Sequence, residues 1–129
     1  MVLKPDSYAR RMKGQQGLRR IINALRYSAD GVRFACEEQG FRQLLWLHGA
    51  LMLMLCFAGF ATAVKMILVL GSFASIVIEL LNTGIEAAVD HTSQDQHELA
   101  KKAKDVGSAA QYITLAMLAV LWLMAFTGD

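Results

Sequence analysis

The chain is 129 residues long, 55% hydrophobic, and carries one proline and a formal net charge of +2, which leaves room for a single domain. Charged residues make up 19% and crowd into the first 42 positions and the stretch from Asp90 to Asp105, with long apolar runs between. That distribution excludes a disordered chain, argues against an ordinary soluble globule, and gives no support for a nucleic-acid partner.

The chain opens with MVLKPDSYARRMKG and reaches no long apolar run for some forty residues, so no cleavable secretory signal is expected. Nine of the 13 Lys and Arg residues lie at or before Arg42, making this quarter basic. Within it, Leu18, Ile21, Ile22, Leu25, Ala29 and Val32 recur at helical spacing, while Arg19, Arg20, Asn23, Arg26, Asp30 and Arg33 fill the rest of the wheel. An amphipathic helix over 18–35 is expected, its apolar face sunk into the acyl boundary and its arginines among anionic headgroups. Two roles stay open for it: a surface anchor, or a wall of a lipid site.

Three apolar stretches then follow, each about the 20 residues needed to cross a hydrocarbon core of roughly 30 Å. They are Leu44 to Thr62, with His48 as its only ionisable group; Lys65 to Ala88, polar in its C-terminal half; and Ala109 to Phe126, which carries no charge and ends at Trp122 and a polar Thr127-Gly128-Asp129 exit. His48 is expected as hydrogen-bonded helix packing and Met52, Met54 and Met66 as apolar filler. About two residues are left for the turn between the first two spans, which predicts a tight hairpin. Lys101, Lys102 and Lys104 lie between the last two spans, whereas the hairpin has only Lys65 and the C-terminus has none. The N-terminus and the Asp90 to Gly107 segment, read as a loop, are therefore expected on the cytoplasmic side. Cys36 and Cys56 have no partner motif and read as small hydrophobes. The chain is thus expected to be an all-α membrane protein, one membrane domain over 1–129 with three transmembrane helices and a surface helix.

The chemistry concentrates in ELLNTGIEAAVD, positions 79–90. Glu79, Asn82 and Glu86 stand at i, i+3 and i+7, so a helix places them on one stripe with the two carboxylates about 10 Å apart along its axis. An ionisable group inside a span costs at least about 2.5 kcal/mol, so these side chains must face protein, a metal or a wet cavity. For Glu86 the plain alternative is that it reaches water at the cytoplasmic end. Glu37 and Glu38 form a second acidic pair before the first span; with Glu86 they offer the hard oxygen ligands that magnesium takes together with phosphate. Lys104 suits a phosphate as a mobile point charge, and the lysines serve equally well as topology signals toward anionic lipid. No GxxxxGK loop, glycine-rich kinase loop, HExxH or CxxC occurs, so any nucleotide site here is unorthodox.

ELLNTGIEAAVD followed by HELAKKAKDVGSAA, with RIINALRYSADGVRFA and EEQGFRQ upstream, closely resembles the small prokaryotic diacylglycerol kinases over nearly the whole chain from Arg20 onward. The resemblance implies a homotrimer in the bacterial inner membrane that moves the γ-phosphate of ATP to the hydroxyl of diacylglycerol, at composite sites formed between subunits. By matched position it implies a catalytic base at Glu79 and magnesium on Glu38 and Glu86. It implies nucleotide contacts at Arg20, Tyr27, Asp95, Gln96, His97, Lys104 and Asp105, besides Glu38 and Glu86, and a lipid-substrate site at Arg20, Glu79, Asn82 and Ser108. The chain departs from the family pattern by being one residue shorter between Gly31 and Phe41, and by carrying Asp95-Gln96 where another pair precedes the histidine. Two rivals remain at this point: an undecaprenol kinase on the same scaffold, and a non-enzymatic membrane subunit using the polar seam for helix association.

Overall fold

The computed structural model describes residues 17–92, 95 and 97–128. Gln96 and Asp129, both invoked above, lie outside the described residues. Among the described residues there are four α-helices and no strand: α1 (Leu18–Ala35), α2 (Gln39–Phe57), α3 (Thr62–Thr92) and α4 (Glu98–Thr127). The chain divides at Ala35 into two compact units, α1 supplying the described part of the first and α2 to α4 forming the second.

The first unit's helix is amphipathic as its wheel predicts, and Leu18, Ile21, Ile22 and Leu25 lie exposed along it. An apolar stripe beside arginines matches the interface between headgroups and acyl chains, not bulk water.

In the second unit, α2, α3 and α4 are each long and apolar enough to cross a membrane. α3 and α4 have 31 and 30 residues, about ten more than a crossing requires, so both project beyond the hydrocarbon at their charged ends. The segment expected as a loop up to Gly107 is accordingly mostly helix. α3 continues through Asp90 to Thr92 and α4 starts at Glu98, because Lys102 pairs with Glu98 and Lys101 with Asp105 one helical turn apart. The Nδ1 of His97 accepts the Leu99 backbone N–H at 3.2 Å and caps α4.

The hairpin is also longer than expected. α2 stops at Phe57, the Ala58 N–H closing on Met54 O at 3.0 Å, and α3 starts at Thr62. Residues 58–61 leave the helical path so that Phe60 reaches Trp122 and Phe126, with ring centroids 6.2 and 5.4 Å away. These rings adjoin a core of Leu55, Leu68, Leu118 and Trp122 at the hairpin end.

α3 packs along α4 for most of its length, while α2 meets α3 more sparsely. Two glycines permit the close approach. A Cβ at Gly71 would lie 3.0 Å from Leu118 Cδ1, and a Cβ at Gly107 would overlap the Asn82 carboxamide. Between these levels the Gln111 Nε2 donates to Ser75 Oγ at 3.0 Å, both residues buried. His48 is buried as expected, but neither ring nitrogen has a hydrogen-bond partner among the described residues, which corrects the expected hydrogen-bonded packing to burial without such a bond. Outward, Trp46, Phe57, Leu70 and Phe73 are widely exposed, a surface suited to acyl chains or to another membrane-embedded helix.

Candidate active site

The site begins with the turn before α2. Glu38 closes it by donating its backbone N–H to Ala35 O at 3.0 Å, and Arg42 clamps it from below through Nη1, donating to Cys36 O at 2.9 Å and Glu37 O at 2.7 Å. Glu38 thereby stands at the head of α2 in extended conformation, with its side chain making no capping bond. Two residues later Gly40 faces α3: a Cβ built there would be 3.8 Å from Glu79 Oε1.

Glu79 is half-buried on α3, and its neighbour on the same stripe, Asn82, is 8% exposed. Asn82 is held by close approach: Gly107 of α4 leaves just enough room for its carboxamide, whose Oδ1 has no hydrogen-bond partner. Both residues open onto a groove of about 350 Å³ lined by all three helices of the bundle. α2 contributes Gly40, Gln43, Leu44 and Leu47, and α4 contributes Ser108, Gln111, Tyr112 and Leu115. The lining changes character along the helices. Glu79, Asn82 and Ser108 make the end near the charged helix termini polar, while Leu44, Leu47 and Leu115 make the far end mainly apolar, with Gln111 and Tyr112 at the transition.

Glu86, two helical turns from Glu79 toward the charged end, is half-buried and lies within electrostatic reach of Lys104. The Lys104 ammonium donates to Asp90 Oδ1 at 2.6 Å and so latches the end of α3 to the start of α4. Asp105 faces away from this latch to Lys101 at 2.5 Å, and Asp95 and His97 are exposed in the connection. Arg20 and Tyr27 are exposed on α1 in the first unit. The structure thus brings Glu79, Asn82 and Ser108 into one groove and groups Glu86 with Lys104 and Asp90 beside it.

No cluster of three or more His, Cys, Asp or Glu side chains is found among the described residues. Glu38 at the head of α2 and Glu86 on α3 carry carboxylates of the kind magnesium takes. Neither carboxylate forms an ion pair among the described residues, and two hard oxygen donors leave the remaining positions to phosphate and water, as this metal prefers.

Sequence reasoning missed Gly40, Gln43, Gln111 and Tyr112 as groove residues. Gln43 lay within the quoted EEQGFRQ without a role. Gln111 carried a usable signal, a lone carboxamide in an apolar span, by the argument that singled out Asn82.

Residues 26–126 match the family model for prokaryotic diacylglycerol kinase. A diacylglycerol kinase of Pseudomonas aeruginosa is 38% identical over 117 residues, covering 90% of this chain and 95% of its own. One from Helicobacter pylori strain J99 is 42% identical over 111 residues, covering 83% of this chain and 84% of its own. The diacylglycerol kinase of Escherichia coli K12 is 34% identical over 107 residues, covering 82% of this chain and 88% of its own. With a family match over most of its length and relatives of this identity along it, the chain belongs to the prokaryotic diacylglycerol kinase family.

Proposed function

We propose that this membrane-embedded lipid kinase transfers the γ-phosphate of ATP to the hydroxyl of diacylglycerol, giving phosphatidic acid at the cytoplasmic face of the bacterial inner membrane. Family membership sets aside the non-enzymatic rival. The observation that supports the lipid substrate is the polarity gradient of the groove, carboxylate, amide and hydroxyl at one end and leucines at the other. Such a slot accepts a molecule with a small polar head and hydrocarbon tails.

In the proposed reaction the lipid hydroxyl enters beside Glu79, with Asn82 and Ser108 orienting it. Its oxygen forms a bond to the γ-phosphorus in line with the bond to the β–γ bridging oxygen, which breaks and leaves with ADP. Glu79 takes the hydroxyl proton as general base. Glu38 and Glu86 hold the magnesium ion, which supplies neutralisation of phosphate charge when bound. The half-buried Lys104 and the exposed Asp105, Asp95 and His97, with Gln96, Arg20 and Tyr27, are proposed to contact the nucleotide. Glu38 and Arg42 keep the head of α2 in place.

We further propose a homotrimer with sites shared between subunits, N-termini in the cytoplasm. It would cover apolar faces that a lone protomer leaves open and add a wall to the groove.

The test is ATP- and magnesium-dependent transfer of labelled γ-phosphate in mixed micelles, with diacylglycerol and undecaprenol supplied separately. Labelled phosphatidic acid as the principal product is the expected result. Selective labelling of undecaprenol would replace diacylglycerol as the substrate, and labelling of neither would defeat the reading.

A further inference from the structure

Gln111 stands out among the groove residues. It is 7% exposed, lines the groove, and spends one end of its carboxamide on Ser75 of the neighbouring helix, leaving Oε1 without a partner. A buried polar atom with no partner is rare, and here it belongs to a residue of the groove wall.

Its level in the groove is informative. Ser75 is one helical turn from Glu79, about 6 Å further from the charged end, and Gln111 follows Ser108 by three residues in the same direction. A diacylglycerol whose hydroxyl lies against Glu79 carries its ester carbonyls a few bonds down toward its tails, at the Gln111 level. A carboxamide also suits either chemistry. Ser75 Oγ both donates and accepts, so rotating the Gln111 amide by half a turn lets Oε1 accept from the Ser75 hydroxyl and turns the Nε2 hydrogens to the groove. The Gln111 carbonyl is then satisfied by Ser75, and an ester carbonyl can accept from Nε2.

We infer that Gln111 is a specificity-determining residue that reads an ester carbonyl of the acylglycerol, so that this enzyme prefers ester-linked over ether-linked glycerolipid alcohols. The inference rests on the lipid-kinase reading above and adds the linkage class to it. Ser75 is its positioning partner, holding the amide at the groove wall.

The experiment compares kcat/KM for 1,2-diacylglycerol and for a 1,2-dialkylglycerol of equal chain length, in the full-length protein in mixed micelles. The dialkyl lipid keeps the hydroxyl and tails and lacks only the carbonyls. The unaltered enzyme is expected to favour the diester by roughly 3- to 10-fold, the loss expected for one neutral hydrogen bond. In Gln111→Leu the ratio should collapse toward one. Because that variant strands the Ser75 hydroxyl, Ser75→Ala combined with Gln111→Leu removes both partners and should show the same collapse. Equal rates on the two lipids by the unaltered enzyme would overturn the inference while leaving the kinase reading standing. A preference that persists in either variant would overturn it as well. Phosphorylation of neither lipid would defeat the kinase reading itself, and this inference with it.

Discussion

Substituting Gly107 by alanine tests whether the groove depends on the fit between α3 and α4. The added methyl would meet Asn82 Oδ1 far inside contact distance, and would lie 3.3 Å from its Cγ and 3.8 Å from Ile85 Cδ1. Asn82 is more than nine-tenths covered, so the carboxamide can give way only toward the groove it lines. Either it retreats by about an ångström to regain ordinary separation, or the two helices part by as much. Overpacking of this kind costs about 1–3 kcal/mol of stability. Displacement of a groove residue next to Glu79 by about an ångström is worth on the order of 100-fold in rate. The assay pairs thermal unfolding in a fixed detergent with kcat/KM on diacylglycerol for Gly107→Ala, Asn82→Ala and the double variant. The double variant should be no less stable than Asn82→Ala alone, since the obstructing amide is gone, and its activity should stay low. A Gly107→Ala enzyme with unchanged stability and rate, or strictly additive stability losses in the double variant, would refute the claim that this contact fixes Asn82.

Glu79→Gln should lower turnover by about 100- to 10,000-fold while nucleotide binding and thermal unfolding remain near those of the parent, and near-parental turnover would remove Glu79 as the base. Glu38→Gln and Glu86→Gln should each shift the magnesium and ATP dependence of the rate to higher concentrations; unaltered titrations in both would move the metal site elsewhere. Cysteines placed at Lys102 and at Asp129 should label from opposite sides of the membrane, position 102 from the cytoplasm, and labelling of both from one side would leave an even number of spans. Mixing inactive Glu79 and Asp105 variants after verified subunit exchange should regenerate activity if the sites are shared, and repeated failure to complement across the groove positions would return each site to one protomer.

The spans and the acidic stripe were legible because the membrane makes both conspicuous: about 20 apolar residues mark a crossing, and a carboxylate inside one demands a reason. Element limits were harder. Residues 58–61 read Ala-Gly-Phe-Ala, as apolar as the helices on either side, so composition could not mark the turn that Phe60 makes by packing on Trp122. The opposite confusion affected 98–107, where charge was taken as the mark of a loop although the acid and base residues stand one turn apart and support a helix. Glu79 and Asn82 lie on one helix, so their spacing alone joins them. Gly40, Gln43 and Ser108 enter the site only through the packing of α2 and α4 against α3, which no local spacing encodes.

That packing also explains why the groove lies where it does. Gly71 and Gly107 let α3 and α4 close at two levels, and the Ser75 to Gln111 hydrogen bond ties them between, so this pair forms one ribbed wall. At the hairpin end α2 joins the pair through Leu55, which belongs to the core of Leu68, Leu118 and Trp122. At the other end α2 presents Gly40 to Glu79, and the absence of a side chain there leaves a carboxylate facing space instead of a packed neighbour. A bulkier residue at position 40 would fill the head of the groove and cover Glu79. Leucine and tryptophan thus close the hairpin end of the bundle, while glycine keeps the head of the groove open beside Glu79.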